Sequence, residues 1–132
     1  DNLKNVAIQE NVAEDTIFTG FVSDDDLKKF YSASEIIAYP AWCAWGLVPL
    51  EALIFNKKVV ISEDALVQEA ISGTEGVFIS PPDQEEFTKS LSLSLSFGTI
   101  NTRDEIKEKF EWNVFFKNML NLTEKKFHKV QT

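Results

Sequence analysis

The 132-residue chain carries 21 acidic against 13 basic side chains, and its net charge of −8 argues against nucleic acid or an anionic membrane surface as partner. Hydrophobic residues make up 44% of it, enough for one ordinary core, and a single cysteine excludes an internal disulfide and suits a reducing compartment. The opening DNLKNVAIQE lacks a signal-peptide layout and begins inside what reads as a helix, as a fragment of a longer chain would.

Taken in order, Leu3 to Gln9 reads as the end of a helix, and Thr16 to Thr19 (TIFT) as a β-branched strand closed by Gly20. Ser23 is the expected N-cap of a helix whose first turn holds Asp24, Asp25 and Asp26, where the dipole favours anions. Leu27, Phe30 and Tyr31 share one face of it. Strands are expected at Ile36 to Tyr39, Lys58 to Ser62 (KVVIS) and Gly76 to Ser80 (GVFIS). Between them the pattern predicts helices at Leu47 to Phe55 and Ala65 to Ile71. Pro81 and Pro82 punctuate, Asp83 to Ser94 reads as helix, and Thr102 is the expected N-cap of a helix over Asp104 to Phe110. Trp112, Phe115, Phe116, Met119 and Leu120 form a further amphipathic face, and the tail after Lys125 reads as frayed. Strands alternating with helices imply an α/β fold: a Rossmann-like, three-layer αβα arrangement around a mostly parallel sheet of about four strands. One domain is expected over residues 1–122, with residues 123–132 a flexible tail.

The run from Ile36 to Phe55, IIAYPAWCAWGLVPLEALIF, holds one charged group, Glu51. Pro40, Gly46 and Pro49 divide it into strand, loop and helix, with Pro49 in the first turn where proline is tolerated. Ligands of open α/β sheets bind in loops at the carboxyl ends of the strands. Glu51, one turn into the helix, either serves such a ligand or caps its own helix N-terminus.

Three successive blocks, TIFTGFVSDDDLKKFYSASEIIAYP, CAWGLVPLEALIFNKKVVIS and QEAISGTEGVFISPPDQEEF, resemble retaining glycosyltransferases of the GT-B architecture. The similarity is to the large family that includes sucrose synthases, glycogen synthases and mannosyltransferases. That family's second domain carries the motif Glu-Gly-Phe-Gly-Leu-Pro-x-x-Glu-Ala, and Gly46, Leu47, Glu51 and Ala52 match it, as Leu50, Gly20, Glu69, Gly76 and Pro81 match the family outside the motif's fixed positions. The resemblance covers roughly Leu3 to Leu120, the later half of a GT-B second domain.

It implies transfer of a hexosyl group, with retention and without a metal or other cofactor, from a nucleotide-diphosphate sugar to a glycan or lipid acceptor. Glu51 would accept bonds from the ribose hydroxyls, a task that suits a carboxylate with two oxygens. The backbone of Gly46, Leu47 and Val48 would face the diphosphate, and Cys43, Ala44 and Trp45 the transferred sugar. The implied partners are the sugar nucleotide and an N-terminal acceptor domain or partner subunit. The implied location is the cytoplasm or the inner face of the membrane, with no transmembrane segment.

Three departures stand out. Cys43 replaces the family's first glutamate, Ala44 its glycine and Val48 its proline. The expected carboxyl-end loops carry Asp24, Asp25, Asp26, Glu63, Asp64 and Asp83 but no Lys or Arg, so this portion should repel a diphosphate. A catalytically degenerate interaction module is therefore the alternative reading. Cys43 as a nucleophile would have only His128 as base, Trp42 and Trp45 either stack on a ligand or pack, and Glu69 is either a donor contact or a solvated residue. No residue spacing supports a metal site.

Overall fold

The structure, a computed structural model, describes residues 2–41, 46–111 and 114. It divides into two compact units, Asp1–Phe30 and Tyr31–Thr132. In the first unit, helix α1 spans Asn2–Gln9. It ends where Asn11 turns left-handed at φ 57°, an angle asparagine tolerates, and the Val12 amide returns to the Ala7 carbonyl at 2.9 Å. The strand expected at Thr16–Thr19 does not form. Thr16 instead donates its hydroxyl to the Val12 carbonyl at 2.7 Å, and Ile17 is left 83% exposed. Helix α2, Asp24–Ala33, starts as expected at Ser23, whose Oγ accepts the Asp26 amide at 3.2 Å and donates to its Oδ2 at 2.9 Å.

The second unit holds the sheet. Strands β1 (Ile36–Tyr39), β2 (Lys58–Ser62) and β3 (Val77–Ser80) lie in that order, and both pairs are parallel. Among the described residues the sheet thus has three strands rather than about four. Ile36 pairs with Lys58 and Tyr39 with Ile61, so the strands share one carboxyl edge.

Every residue of β2 is buried, as a central parallel strand requires. The pleat sends Val59 and Ile61 to one face, where they join Leu50 and Leu53 of α3 (Val48–Ile54), Ile71 of α4 (Gln68–Ile71) and Ile106 of α6 (Arg103–Phe110). Val60 points to the other face, which α5 (Gln84–Ser96) covers. Phe78, the register partner of Val60, there meets Phe97 edge-on at 5.6 Å. Helices on both faces make this a three-layer, Rossmann-like αβα fold.

The amino edge is tied by specific bonds. Lys58, nearly buried, pairs with Glu35 at 3.2 Å and donates to the Phe97 carbonyl at 3.1 Å, which offsets the cost of burying its charge. Asn56 takes φ 56° after α3, and its Oδ1 accepts the amides of both Thr102 and Arg103 at 3.0 Å. The N-cap of α6 is therefore supplied from 46 residues away, while the Thr102 hydroxyl goes to the Leu53 carbonyl at 2.8 Å. Gly76, at φ 76°, lets Ile100 pack against the backbone; a Cβ there would come within 2.7 Å of Ile100 Cδ1. Among the described residues no helix is long and apolar enough to cross a membrane. The Trp112 to Leu120 face (Val114 apart) and the tail from residue 123 lie outside the described residues.

Candidate functional site

The loop after β1 returns at Gly46, and α3 begins at the carboxyl edge of the sheet. Tyr39, the last residue of β1, fixes that return. Its ring lies so close to Gly46 that a Cβ there would overlap the phenol oxygen and approach Cζ to 2.7 Å. Glycine is needed here for close approach, not for a positive φ. Leu47 occupies the N-cap of α3 and has no oxygen to cap with, and Pro49 fills the first turn without an N–H of its own. Leu47 and Val48 are exposed.

Glu51 follows in the first turn, half-buried, and does not act as the N-cap of its helix. Its Oε2 accepts the hydroxyl of Tyr31 at 2.7 Å. Tyr31 is buried and stacks on Phe55 with ring centroids 5.3 Å apart and planes 15° from parallel. Burial, and then the bond to Glu51, push the phenol well above its ordinary pKa, so it remains a donor at any working pH. Glu51 also lines a groove of about 320 Å³ between α3 and α6, which it shares with Leu47, Ile106, Lys107 and Phe110.

Gly46, Leu47, Val48 and Glu51 are thus brought together over the start of α3. Cys43, Ala44 and Trp45 lie outside the described residues, as does Trp42. Glu69 is exposed on the short α4. A second cavity at the carboxyl edge, about 300 Å³, is bounded by Pro40, Ser62, Asp83 and Phe87. Asp83 is committed there to the Glu85 and Glu86 amides, at 2.9 and 3.0 Å, as the cap of α5. A larger cavity, about 450 Å³, sits at the amino edge beside Lys58, whose ammonium is already held by Glu35 and Phe97.

Two contributors escaped the sequence reading. Tyr31 counted only as a member of an apolar face, and Tyr39 only as the end of a strand. Nothing local ties either to residues 20 or 7 positions on. Lys107 is a third: it brings a cation to the groove beside Glu51, although the expected carboxyl-end loops carry none.

The family model described as glycosyl transferases group 1 matches residues 1–111. An uncharacterized glycosyltransferase of Methanocaldococcus jannaschii, MJ1607, is 26% identical over 130 residues, 92% of this chain and 33% of its own length. The serotype-specific mannosyltransferase WbdA of Escherichia coli is 31% identical over 81 residues, 61% of this chain and 10% of that protein. The chain therefore spans a third or less of these relatives. Among solved structures, sucrose-phosphate synthase from Thermosynechococcus elongatus superposes with a TM-score of 0.77 at 21% identity, over 97% of this chain and 34% of that one. That likeness is one of fold, and it is a GT-B fold. With the family model matching most of its length, the chain belongs to the group 1 glycosyl transferases.

Proposed function

We propose that this chain is the sugar-nucleotide-binding portion of a retaining hexosyltransferase acting on a glycan or lipid acceptor. The observation that carries the reading is the grouping of Gly46, Leu47, Val48 and Glu51 over the start of α3 in a group 1 family member. Glu51 takes the ribose hydroxyls, with one carboxylate oxygen held by Tyr31 and the other accepting no bond from any described residue. The backbone of Gly46 to Val48 faces the diphosphate. Cys43, Ala44 and Trp45 face the sugar. In the transfer, the anomeric C–O bond to the diphosphate breaks and an acceptor hydroxyl oxygen bonds to the same carbon on the same face. The nucleoside diphosphate leaves with the bonding electrons, and the proton of the acceptor hydroxyl passes to the departing phosphate oxygen. No metal is required in this scheme. The relatives' greater length supports an acceptor domain or partner subunit beyond these residues, and Phe21, 99% exposed, with its neighbours Ile17 and Phe18 offers apolar surface for such a region to cover. The proposed location is the cytoplasm or the inner membrane face.

Titration of the ¹⁵N-labelled chain with UDP-glucose and GDP-mannose tests this. Shifts centred on Gly46 to Glu51, with a dissociation constant of roughly 1 mM, are expected. Turnover by the chain alone is not, because the loops expected at the carboxyl ends of the strands carry no Lys or Arg to meet the diphosphate. Glu51→Gln should weaken binding by about 1–3 kcal/mol while the melting temperature holds. An unchanged affinity would remove the donor-site reading.

Cys43, standing where the family has a glutamate, favours a second reading, a degenerate module kept for subunit contact. Absence of any nucleotide-induced shift, together with self-association or capture of a transferase subunit, would establish it instead.

A further inference from the structure

We propose that Tyr31 is a positioning residue for the sugar-nucleotide site: its hydroxyl fixes the rotamer in which Glu51 meets the ribose. The inference deepens the donor-site reading and rests on it. A glutamate in the first turn of a partly exposed helix has three rotatable bonds, and each ligand that uses it must first freeze them. Here the freezing precedes any ligand. The donor at 2.7 Å is itself locked, because Tyr31 is 6% exposed and its ring is stacked on Phe55. Phe55 closes α3, the helix that carries Glu51, so tyrosine and glutamate are referred to one rigid element.

The bond also divides the carboxylate. Oε2 spends one lone pair on Tyr31 and keeps another, while among the described residues none bonds to Oε1. Three acceptor sites then remain for the two hydroxyls of a cis diol, with the carboxylate plane already set. The phenol meets the carboxylate as a neutral donor, because burial and the adjacent carboxylate favour its protonated form. A tyrosine serving packing alone would do as well as phenylalanine, since the stack on Phe55 needs only the ring.

Tyr31→Phe is the direct test, since it removes one oxygen and retains the stack. In ¹⁵N-detected titrations of the chain with UDP-glucose and GDP-mannose, the dissociation constant should rise roughly three- to tenfold, the cost of ordering one side chain at binding. The thermal midpoint is followed in parallel. Glu51→Asp provides a second variant that keeps the charge but withdraws the carboxylate by one methylene from the Tyr31 hydroxyl, and it should lose affinity to a similar extent. In a Glu51→Ala background, Tyr31→Phe should have no further effect on affinity, because the tyrosine acts only through the carboxylate. If Glu51→Gln weakens binding while Tyr31→Phe and Glu51→Asp leave it intact, the positioning role is overturned and the donor site stands. If Glu51→Gln itself changes nothing, the donor-site reading falls and this inference falls with it. An equal loss from Tyr31→Phe with and without Glu51 would reduce the tyrosine to a packing residue.

Discussion

Thr16–Thr19 and Lys58–Ser62 are similar on paper: TIFT and KVVIS are both short, β-branched and apolar. KVVIS is buried throughout and pairs on both sides. TIFT forms no strand, and its Ile17 faces solvent. Propensity is shared, so the difference lies in partners. A strand satisfies its amides only through neighbours, and β-propensity mostly measures the packing a neighbour provides. Lys58–Ser62 has β1 and β3 beside it and helices above and below. Thr16–Thr19 finds no neighbouring strand among the described residues, so its backbone turns to local bonds such as Thr16 to Val12.

The sharpest way to break this comparison is to shave equivalent side chains. Ile61→Ala, at a fully buried position between α3 and the sheet, should cost about 2–5 kcal/mol in urea denaturation. Ile17→Ala should stay within about 0.5 kcal/mol. Comparable losses at both sites would mean that Thr16–Thr19 is packed in solution and that the contrast is wrong.

The two left-handed asparagines extend the comparison at smaller scale. Asn11 and Asn56 have nearly the same φ, 57° and 56°. Only Asn56 also caps a distant helix, through Thr102 and Arg103. Glycine relieves a positive φ in both places. Asn56→Gly should therefore lose about 1–2 kcal/mol, the worth of a lost cap. Asn11→Gly should be close to neutral or slightly stabilising. Thermal melts of the pair decide it, and equal effects would show that the cap of α6 is supplied elsewhere.

These contrasts mark where the sequence was legible. The bounds of β1 and β2 could be read because Ser34, Pro40, Asn56 and Glu63 punctuate apolar runs, and Pro49 announces the first turn of α3. Ser23 and Asp83 cap as their chemistry suggests. What could not be read depends on distance along the chain. Thr102 looked like a self-sufficient cap, yet Asn56 supplies the oxygen. Thr16–Thr19 had the composition of a strand and lacked the neighbour. Glu51 could be singled out as the one carboxylate in an apolar run. That its bond goes to Tyr31 follows from how Tyr31 packs against α3 within the second unit, and no local spacing encodes it.

The smallest expected effect isolates that last bond. Tyr31 has its pKa raised by burial and by Glu51, so folding favours the protonated phenol. A group whose folded pKa lies above its unfolded value contributes fully below the unfolded value, about 10 for tyrosine, and the contribution fades as pH rises beyond it. Stability should therefore be insensitive to Tyr31 up to about pH 10 and decline above it, as the unfolded chain ionises a phenol that the folded chain keeps neutral. Tyr31→Phe should flatten the alkaline limb of a stability profile measured between pH 8 and about 11. If the alkaline limb survives Tyr31→Phe unchanged, the Tyr31–Glu51 pair does not form in solution.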